Sequence, residues 1–176
     1  NRVLAHDLDD PLRIGIGINS GPCAAGNFGS EQRFGYSALG DSVNLAARLE
    51  SLSRLYGVDT LVGSATAGAV RGFALLEIDR VRVKGRATPE SIHALLGRTD
   101  ALDPAIAAAM AAFATAIADY RAASWDAAAG EFRAAAAGAP ALAPLCDLYE
   151  DRIRAFRAVP PPAGWDGVFV AESKTG

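Results

Sequence analysis

Two side chains suited to holding a phosphate lie four residues apart in the segment 35–50. Asn44 is an amide that can donate and accept hydrogen bonds, and Arg48 offers planar, fork-like donors to phosphate oxygens. Residues at positions i and i+4 share one face of a helix, so the pair could hold a nucleotide while charge develops at phosphorus. Two ordinary alternatives stay open: Arg48 pairs with Glu50 in solvent, and Asn44 loosely caps a first turn.

The sequence around this pair predicts the helix that positions it. Asp41 follows Gly40 and is a good N-cap, and Gly57 can end the helix. Apolar residues recur through the segment at positions 43, 45, 46, 47, 49, 52 and 55. A helix with one buried face and one polar face is therefore expected from Asp41 to about Gly57.

Short strands are expected around this helix, and they make the first region α+β. Residues 12–19 alternate branched apolar side chains with glycine and predict a buried strand that other backbone approaches closely. We also expect strands at about 23–26, 33–37 and 60–63, a short helix capped by Ser64, and a hairpin formed by 73–83 and 91–96.

The composition shifts to alanine from Asp100 onward, which predicts a helical extension. Helices are expected at about 104–122, 124–137 and 141–158, and the prolines at 160–162 end the last one. Residues 120–135 resemble one tetratricopeptide-type helix-turn-helix, with Tyr120, Trp125 and Phe132 as its large packing residues. We therefore divide the chain into residues 1–99 and an all-α extension, residues 100–176.

Composition and charge exclude several classes of protein. A hydrophobic share of 51% is ample for a buried core, and a net charge of −3 gives no general attraction to nucleic acid or anionic membrane. Cys23 and Cys146 lie far apart without partners at metal-ligand spacing, so neither a zinc site nor a disulfide framework is indicated. We expect a cytoplasmic segment without direct membrane contact.

Four motifs occur in one order along residues 12–96. They are Leu12-Arg-Ile-Gly-Ile-Gly-Ile-Asn-Ser-Gly21, Ala25-Gly-Asn-Phe-Gly29, Gly35-Tyr-Ser-Ala-Leu-Gly-Asp-Ser-Val-Asn-Leu-Ala-Ala-Arg-Leu-Glu50 and Arg82-Val-Lys-Gly-Arg86. This region resembles the catalytic domain of class III nucleotidyl cyclases. The resemblance implies a ferredoxin-like fold, of which this chain holds the C-terminal part. The tail 163–170 is similar to the end of bacterial membrane-receptor cyclases.

The resemblance also implies roles for individual residues. The counterparts of Asn44 and Arg48 orient the ribose and stabilise the transition state, and the lysine matching Lys84 contacts the triphosphate. Ser37 falls where the family places a purine-contacting residue, and we include Asp41 among the nucleotide-binding candidates. Lys84 could instead be an exposed hairpin lysine, and the Ser37 hydroxyl could simply satisfy a turn.

The resemblance places the metal ligands of the family before residue 12. The ten residues 1–10 lack the family's Asp-x-x-Gly-Phe and Gly-Asp patterns, so we assign no metal ligand in this chain. We expect the chain to be the C-terminal piece of a longer protein, with two Mg²⁺ or Mn²⁺ ions held by the parent and a membrane anchor upstream as an open alternative. A first strand without its sheet neighbours would expose backbone and apolar surface, which predicts self-association.

The activity implied is that of an adenylate cyclase in signal transduction. It would form 3′,5′-cyclic AMP and pyrophosphate from ATP, as a homodimer of the parent protein, and this segment alone would be inactive. Two alternatives remain: a guanylate cyclase that acts on GTP, and a non-catalytic module that binds a nucleotide or a partner protein.

Overall fold

The fold is α+β in the computed structural model, which describes residues 13–30, 33–82 and 88–170. The strands are β1 (Ile16–Ile18), β2 (Ala24–Ser30), β3 (Arg33–Leu39), β4 (Thr60–Gly63), β5 (Phe73–Arg82), β6 (Glu90–Arg98) and β7 (Phe169–Val170). The helices are α1 (Asp41–Leu55), α2 (Ser64–Ala69), α3 (Pro104–Arg121), α4 (Trp125–Gly138) and α5 (Ala143–Ala158). Short 3₁₀ turns lie at Thr99–Ala101 and Pro140–Leu142.

The strands form one five-stranded sheet and one hairpin. The sheet has the order β1-β4-β6-β5-β7, and its outer pairs, β1 with β4 and β5 with β7, are parallel. Strand β6 is antiparallel to both of its neighbours, so the predicted hairpin of β5 and β6 is confirmed. The hairpin of β2 and β3 stands apart from this sheet and leads directly into α1.

The predicted helix α1 is confirmed, but its N-cap is not Asp41. The carbonyl of Gly40 accepts hydrogen bonds from the amides of Val43 and Asn44, which makes Gly40 the N-cap residue. Asp41 is the first helical residue, where its negative charge suits the positive end of the helix dipole. The predicted stop is confirmed, since Gly57 has a φ of 65° just after the C-cap.

The N-cap of α2 differs from the prediction in the same way. Gly63 is the N-cap and Ser64 is the first helical residue. The Ser64 hydroxyl and amide both donate to the carboxylate of Glu90, at 2.6 and 2.9 Å. The serine therefore connects α2 to the start of β6 instead of capping its own helix.

The expectation that β1 is a buried strand is wrong for its isoleucine side chains. Ile16 and Ile18 are 45% and 39% exposed, because alternate residues of a strand point to opposite faces. The face that packs on α1 carries Gly15 and Gly17, whose missing side chains let the helix backbone come close. The alternation of isoleucine and glycine thus marks a strand that α1 covers on its glycine side, where the glycines are partly buried.

The C-terminal helices share one hydrophobic core with the sheet. Buried residues of α1, β5 and β6 are continuous with those of α3, α4 and α5. Rings of Phe113, Phe132 and Tyr149 meet at the centre of the helical part. The extension is not all-α, since β7 near its end pairs with β5. The proposed boundary between residues 99 and 100 stays a prediction.

Candidate functional site

Helix α1 presents Asn44 and Arg48 to solvent on its outer face. Both side chains are exposed, whereas Leu45, Leu49 and Ser53 are buried on the opposite face. The helix packs against β1 and β4 through that buried face. An amide and a guanidinium one turn apart on one helix face can both donate to a polyanion. In the free protein both groups are exposed to water.

The start of α1 is held in place by hydrogen bonds to residues far away in sequence. The Ser42 hydroxyl donates to the carbonyl of Pro22 at 3.0 Å, and the side-chain amide of Asn19 donates to the carbonyl of Ser42 at 3.2 Å. A side chain at Gly40 would press on the Pro22 carbonyl, since a Cβ there would lie 3.0 Å from that oxygen. These contacts fix the first turn of the helix that carries the candidate pair.

Ser37 lies on β3, two residues before that strand ends, and is exposed. It stands opposite Gly26 in the hairpin of β2 and β3. Since a single residue, Gly40, separates β3 from α1, the hairpin and the helix carry Ser37, Asp41 and Asn44 on consecutive elements. The structure places all of these candidates at the surface of one stretch of chain.

Lys84 lies outside the described residues. The described part of its hairpin ends at Arg82 on β5 and resumes at Thr88 before β6. The proposed contact between Lys84 and a triphosphate therefore stays a prediction.

The described residues do not fit a two-metal site. Within residues 13–30, 33–82 and 88–170, no three histidine, cysteine, aspartate or glutamate side chains converge as metal ligands. Divalent ions bound in a nucleotide site need several oxygen ligands, chiefly carboxylates. We therefore derive no step of the chemistry through a metal held by this part of the chain.

A cavity of about 270 Å³ lies away from the candidate residues. It is lined by side chains of α3, α5 and the tail, among them Tyr120, Arg152, Phe156 and Trp165. None of the candidate residues that the structure describes borders it. The candidate site is thus an open face of α1, and an enclosed nucleotide pocket would require a second surface over it.

The residues that hold α1 in position are not among the predicted site residues. Asn19 and Ser42 both lie inside motifs that the sequence analysis singled out, but their link across 23 positions is a tertiary contact. The side-chain oxygen of Asn19 is buried without a hydrogen-bond partner among the described residues. A polar residue at the end of a glycine-rich strand was the available signal for this role.

The hairpin of β2 and β3, the packed helix α1 and its exposed polar face all lie within a region that one family model matches. The family model of the adenylate and guanylate cyclase catalytic domain matches residues 2–97, more than half of the chain. The chain belongs to this family. Among the described residues, none of the helices combines the length and apolar character needed to cross a membrane.

Similar proteins carry both adenylate and guanylate cyclase names. Adenylate cyclase 1 of Rhizobium meliloti is 31% identical over 87 residues, which are 49% of this chain and 13% of that protein. The adenylate cyclase of Anabaena cylindrica is 34% identical over 86 residues, 47% of this chain and 17% of its own length. Human retinal guanylyl cyclase 1 is 34% identical over 99 residues, 54% of this chain and 9% of its own.

Solved structures of cyclases are also similar. The adenylyl cyclase CyaB from P. aeruginosa is 30% identical, with a TM-score of 0.49 over 58% of this chain and 52% of that one. The matched region of this chain spans less than a fifth of the length of each of the three named relatives. The activity of the whole protein is therefore proposed below.

Proposed function

We propose that this chain is part of an adenylate cyclase, in which the exposed face of α1 binds ATP and stabilises the transition state. The observation that carries the proposal is the placement of Asn44 and Arg48 one turn apart on that face, in a chain of the cyclase family. The ribose 3′-hydroxyl attacks the α-phosphate, a cyclic 3′,5′-monophosphate forms, and pyrophosphate leaves. Arg48 donates to the phosphate oxygens as charge builds there, and Asn44 orients the ribose.

The remaining candidates act on the rest of the nucleotide. Ser37 contacts the purine, Asp41 contributes to nucleotide binding, and Lys84 contacts the triphosphate. Two Mg²⁺ or Mn²⁺ ions, held by the parent protein and not by ligands of this chain, would neutralise the triphosphate. In this reading, the described residues supply nucleotide orientation and transition-state donors.

A second copy of the parent protein covers the open face in this proposal. All of the described candidate residues are exposed, and electrostatic stabilisation is effective only when water is excluded. Apolar side chains of the β2–β3 hairpin, which leads into α1, are also exposed, notably Phe28, Tyr36 and Leu39. Such a surface supports association of two protomers through this side of the molecule.

GTP is the alternative substrate. The similarity to a retinal guanylyl cyclase supports that alternative, and Ser37 can donate to or accept from either purine. ATP is preferred because the bacterial relatives named above are adenylate cyclases. The cytoplasmic location, the receptor type of the parent and the tetratricopeptide-like character of residues 120–135 belong to the same proposal.

The test measures cyclic nucleotide formation by the full-length gene product with Mn²⁺ and either ATP or GTP. Arg48→Ala should lower kcat by about 100-fold or more, because one preorganised donor to the developing charge is lost. Arg54→Ala is the matched control, since Arg54 is exposed on the last turn of the same helix. Its activity should equal that of the wild type.

The outcomes of this test discriminate between an adenylate cyclase, a guanylate cyclase and a non-catalytic module. Product from GTP alone would replace the adenylate by the guanylate assignment. A folded wild-type protein that forms neither product would favour the non-catalytic module. An Arg48→Ala variant as active as Arg54→Ala would remove Arg48 from the site.

A further inference from the structure

Helix α1, which carries Asn44 and Arg48, ends in the interior of the protein. Tyr56 is its C-cap residue and is fully buried. The Tyr56 amide donates to the carbonyl of Leu52 at 3.2 Å, which ties the tyrosine to the last turn of the helix. A contact that fixes the Tyr56 side chain therefore also fixes this end of α1.

The Tyr56 side chain is held jointly by β5 and by residues 143–170, here named the C-terminal segment. Its hydroxyl donates to Asp79 Oδ2 on β5 at 2.6 Å. Arg152 on α5 donates to the same oxygen at 2.7 Å, and its guanidinium lies 5.5 Å from the centroid of the Tyr56 ring. The Phe169 ring of β7 packs edge-on against Tyr56, with centroids 6.5 Å apart. The end of α1 is thus joined to α5 through one carboxylate oxygen.

Burial makes this connection specific. Asp79 is 1% exposed, and the Arg152 side chain is 13% exposed. A buried carboxylate requires a counter-charge and hydrogen-bond donors, and the amide of Arg80 donates to its other oxygen at 2.7 Å. The Tyr56 hydroxyl is therefore placed beside a charge whose position depends on Arg152 of the C-terminal segment.

A second contact between α1 and α5 lies one residue beyond Tyr56. Gly57 has a φ of 65°, and a Cβ added to it would lie 2.7 Å from the Cβ of Pro144, in the first turn of α5. The backbone that ends α1 therefore lies directly against the start of α5. Helix α5 meets the end of α1 both there and, through Arg152, further along its length.

The start of α1 is held by a different part of the chain. Ser42 is hydrogen-bonded to Pro22 and Asn19, which precede the helix in sequence. With a rise of about 1.5 Å per residue, Arg48 lies about 9 Å and Tyr56 about 21 Å along the axis from Ser42. If the first turn stays fixed, a shift of about 1 Å at Tyr56 moves Arg48 by about 0.4 Å on this geometry. Residues of the first turn stay almost in place.

We propose that the C-terminal segment positions Arg48 for the reaction, with Arg152 and Tyr56 as positioning residues that set the direction of α1. The inference rests on the proposed function, since Arg48 donates to the phosphate only in that proposal. Tyr56 and Arg152 act through the helix and touch no substrate. Because Arg48 acts as charge develops, its displacement lowers kcat, whereas Asn44 in the first turn keeps its contact with the ribose and KM is nearly constant.

The test combines steady-state kinetics with hydrogen exchange on the full-length gene product. Tyr56→Phe removes one hydroxyl and keeps the ring that packs on Phe169, and Asp79 keeps its ion pair with Arg152, so this variant should fold. Its kcat should fall about fivefold, with KM for the nucleotide changed by less than about twofold. Exchange of the amides of residues 52–58 should rise about tenfold, while that of residues 42–45 should not change.

A second variant tests the contribution of the C-terminal segment itself. Arg152→Lys keeps the positive charge beside Asp79 but loses the planar fork, and it should reproduce both the fall in kcat and the faster exchange of residues 52–58. Arg154→Gln is the matched control, since Arg154 is exposed on the same helix and its ion pair is with Asp151, also on α5. Its kcat and exchange should equal those of the wild type.

A third variant separates positioning from loss of stability. Ile117→Val removes one buried methyl group from α3, which packs on α4 and β5, and should lower stability about as much as the loss of one hydrogen bond. Its kcat and the exchange of residues 52–58 should match the wild type. Kinetics are compared at a temperature at which circular dichroism shows every variant fully folded, so that unfolding cannot lower the apparent kcat.

The kinetic and exchange results reject different claims. Unchanged exchange at residues 52–58 in Tyr56→Phe and Arg152→Lys would overturn the attachment of α1 to the C-terminal segment. Faster exchange with an unchanged kcat would overturn the positioning of Arg48, as would an equal fall of kcat in Ile117→Val. A wild type that forms no cyclic nucleotide would reject the proposed function and with it the positioning of Arg48, and exchange would still decide whether the C-terminal segment holds the end of α1.

Discussion

Gly17 of β1 lies so close to Ala46 of α1 that a Cβ on Gly17 would overlap the Ala46 carbonyl oxygen. The amide nitrogen of Glu50 also lies within overlap distance of that position. Both obstacles are backbone atoms, which cannot move aside without displacing the helix. The helix that carries Asn44 and Arg48 therefore depends on a residue with no side chain in the neighbouring strand.

Gly17→Ala should destabilise the fold by about 3 kcal/mol, because overpacking at a backbone contact forces α1 away from the sheet. Gly130→Ala is the control, since nothing lies within 4 Å of the added Cβ in the exposed part of α4. That change should stabilise the helix by about 0.5 to 1 kcal/mol. Urea unfolding measures both, and equal midpoints for the two variants would contradict the close approach.

Arg152→Leu should lower the free energy of unfolding by about 3 to 5 kcal/mol, since it leaves Asp79 buried without a counter-charge. Burial, and then the Asp79 carboxylate, hold the pKa of Tyr56 far above its ordinary value, so Tyr56 remains a neutral donor. It cannot replace the lost positive charge. Thermal and urea unfolding of Arg152→Leu beside Arg154→Leu measure the difference, and equal stability would contradict the role of the buried pair.

His93 on β6 should make the fold less stable in mild acid. Burial lowers its pKa, opposed by the charges of Glu77 and Glu90 and by a backbone contact with Val62. The unfolded state therefore binds more protons below about pH 6.5, and stability falls as the pH drops through that value. Above it, the imidazole is neutral in both states and contributes no pH dependence.

His93→Gln isolates this effect from the titration of carboxylates. Unfolding free energies of the wild type and the variant should differ in their slope between pH 7.5 and about pH 5.5, with the shallower slope in the variant. Parallel pH profiles would show that His93 titrates equally in the folded and unfolded states.

The two cysteines should differ sharply in reactivity. Cys23 is exposed, whereas Cys146 is 2% exposed, and burial, with smaller contributions from Asp147 and Glu150, raises its pKa to about 12. The thiolate is the reactive form, so iodoacetamide at pH 8 should modify Cys23 and spare Cys146 in the folded protein. Peptide mass spectrometry measures both sites, and labelling in urea should modify both. Equal labelling of the two cysteines in the folded state would contradict the burial of Cys146.

Much of the secondary structure follows from local patterns. The helix α1, the hairpin of β5 and β6 and the three C-terminal helices lie within a few residues of their predicted bounds. Strand β1 lies inside the predicted range 12–19, and the predicted close approach of other backbone is found at Gly17, but the isoleucine side chains of this strand are exposed. Alternation identifies two faces of a strand, and only the position of the helix decides which face is covered.

The strand β7 could not be predicted, because two residues after a proline-rich turn carry no periodic signal. The caps of α1 and α2 were each placed one residue late, since glycine supplied the N-cap where Asp41 and Ser64 have better side chains for the task. Backbone hydrogen bonding, which the sequence does not display, determines where a helix begins.

By itself, the sequence determined the chemistry-bearing pair on α1, the α+β character of the first region and the helical character of most of the rest. Spacing along the chain carries this information, because helix periodicity and local motifs are short-range properties. Only the tertiary structure decided that Asp79 would be buried against Arg152, 73 positions away. A buried charge is stable only beside a partner, and the packing of α5 on β5 selects that partner.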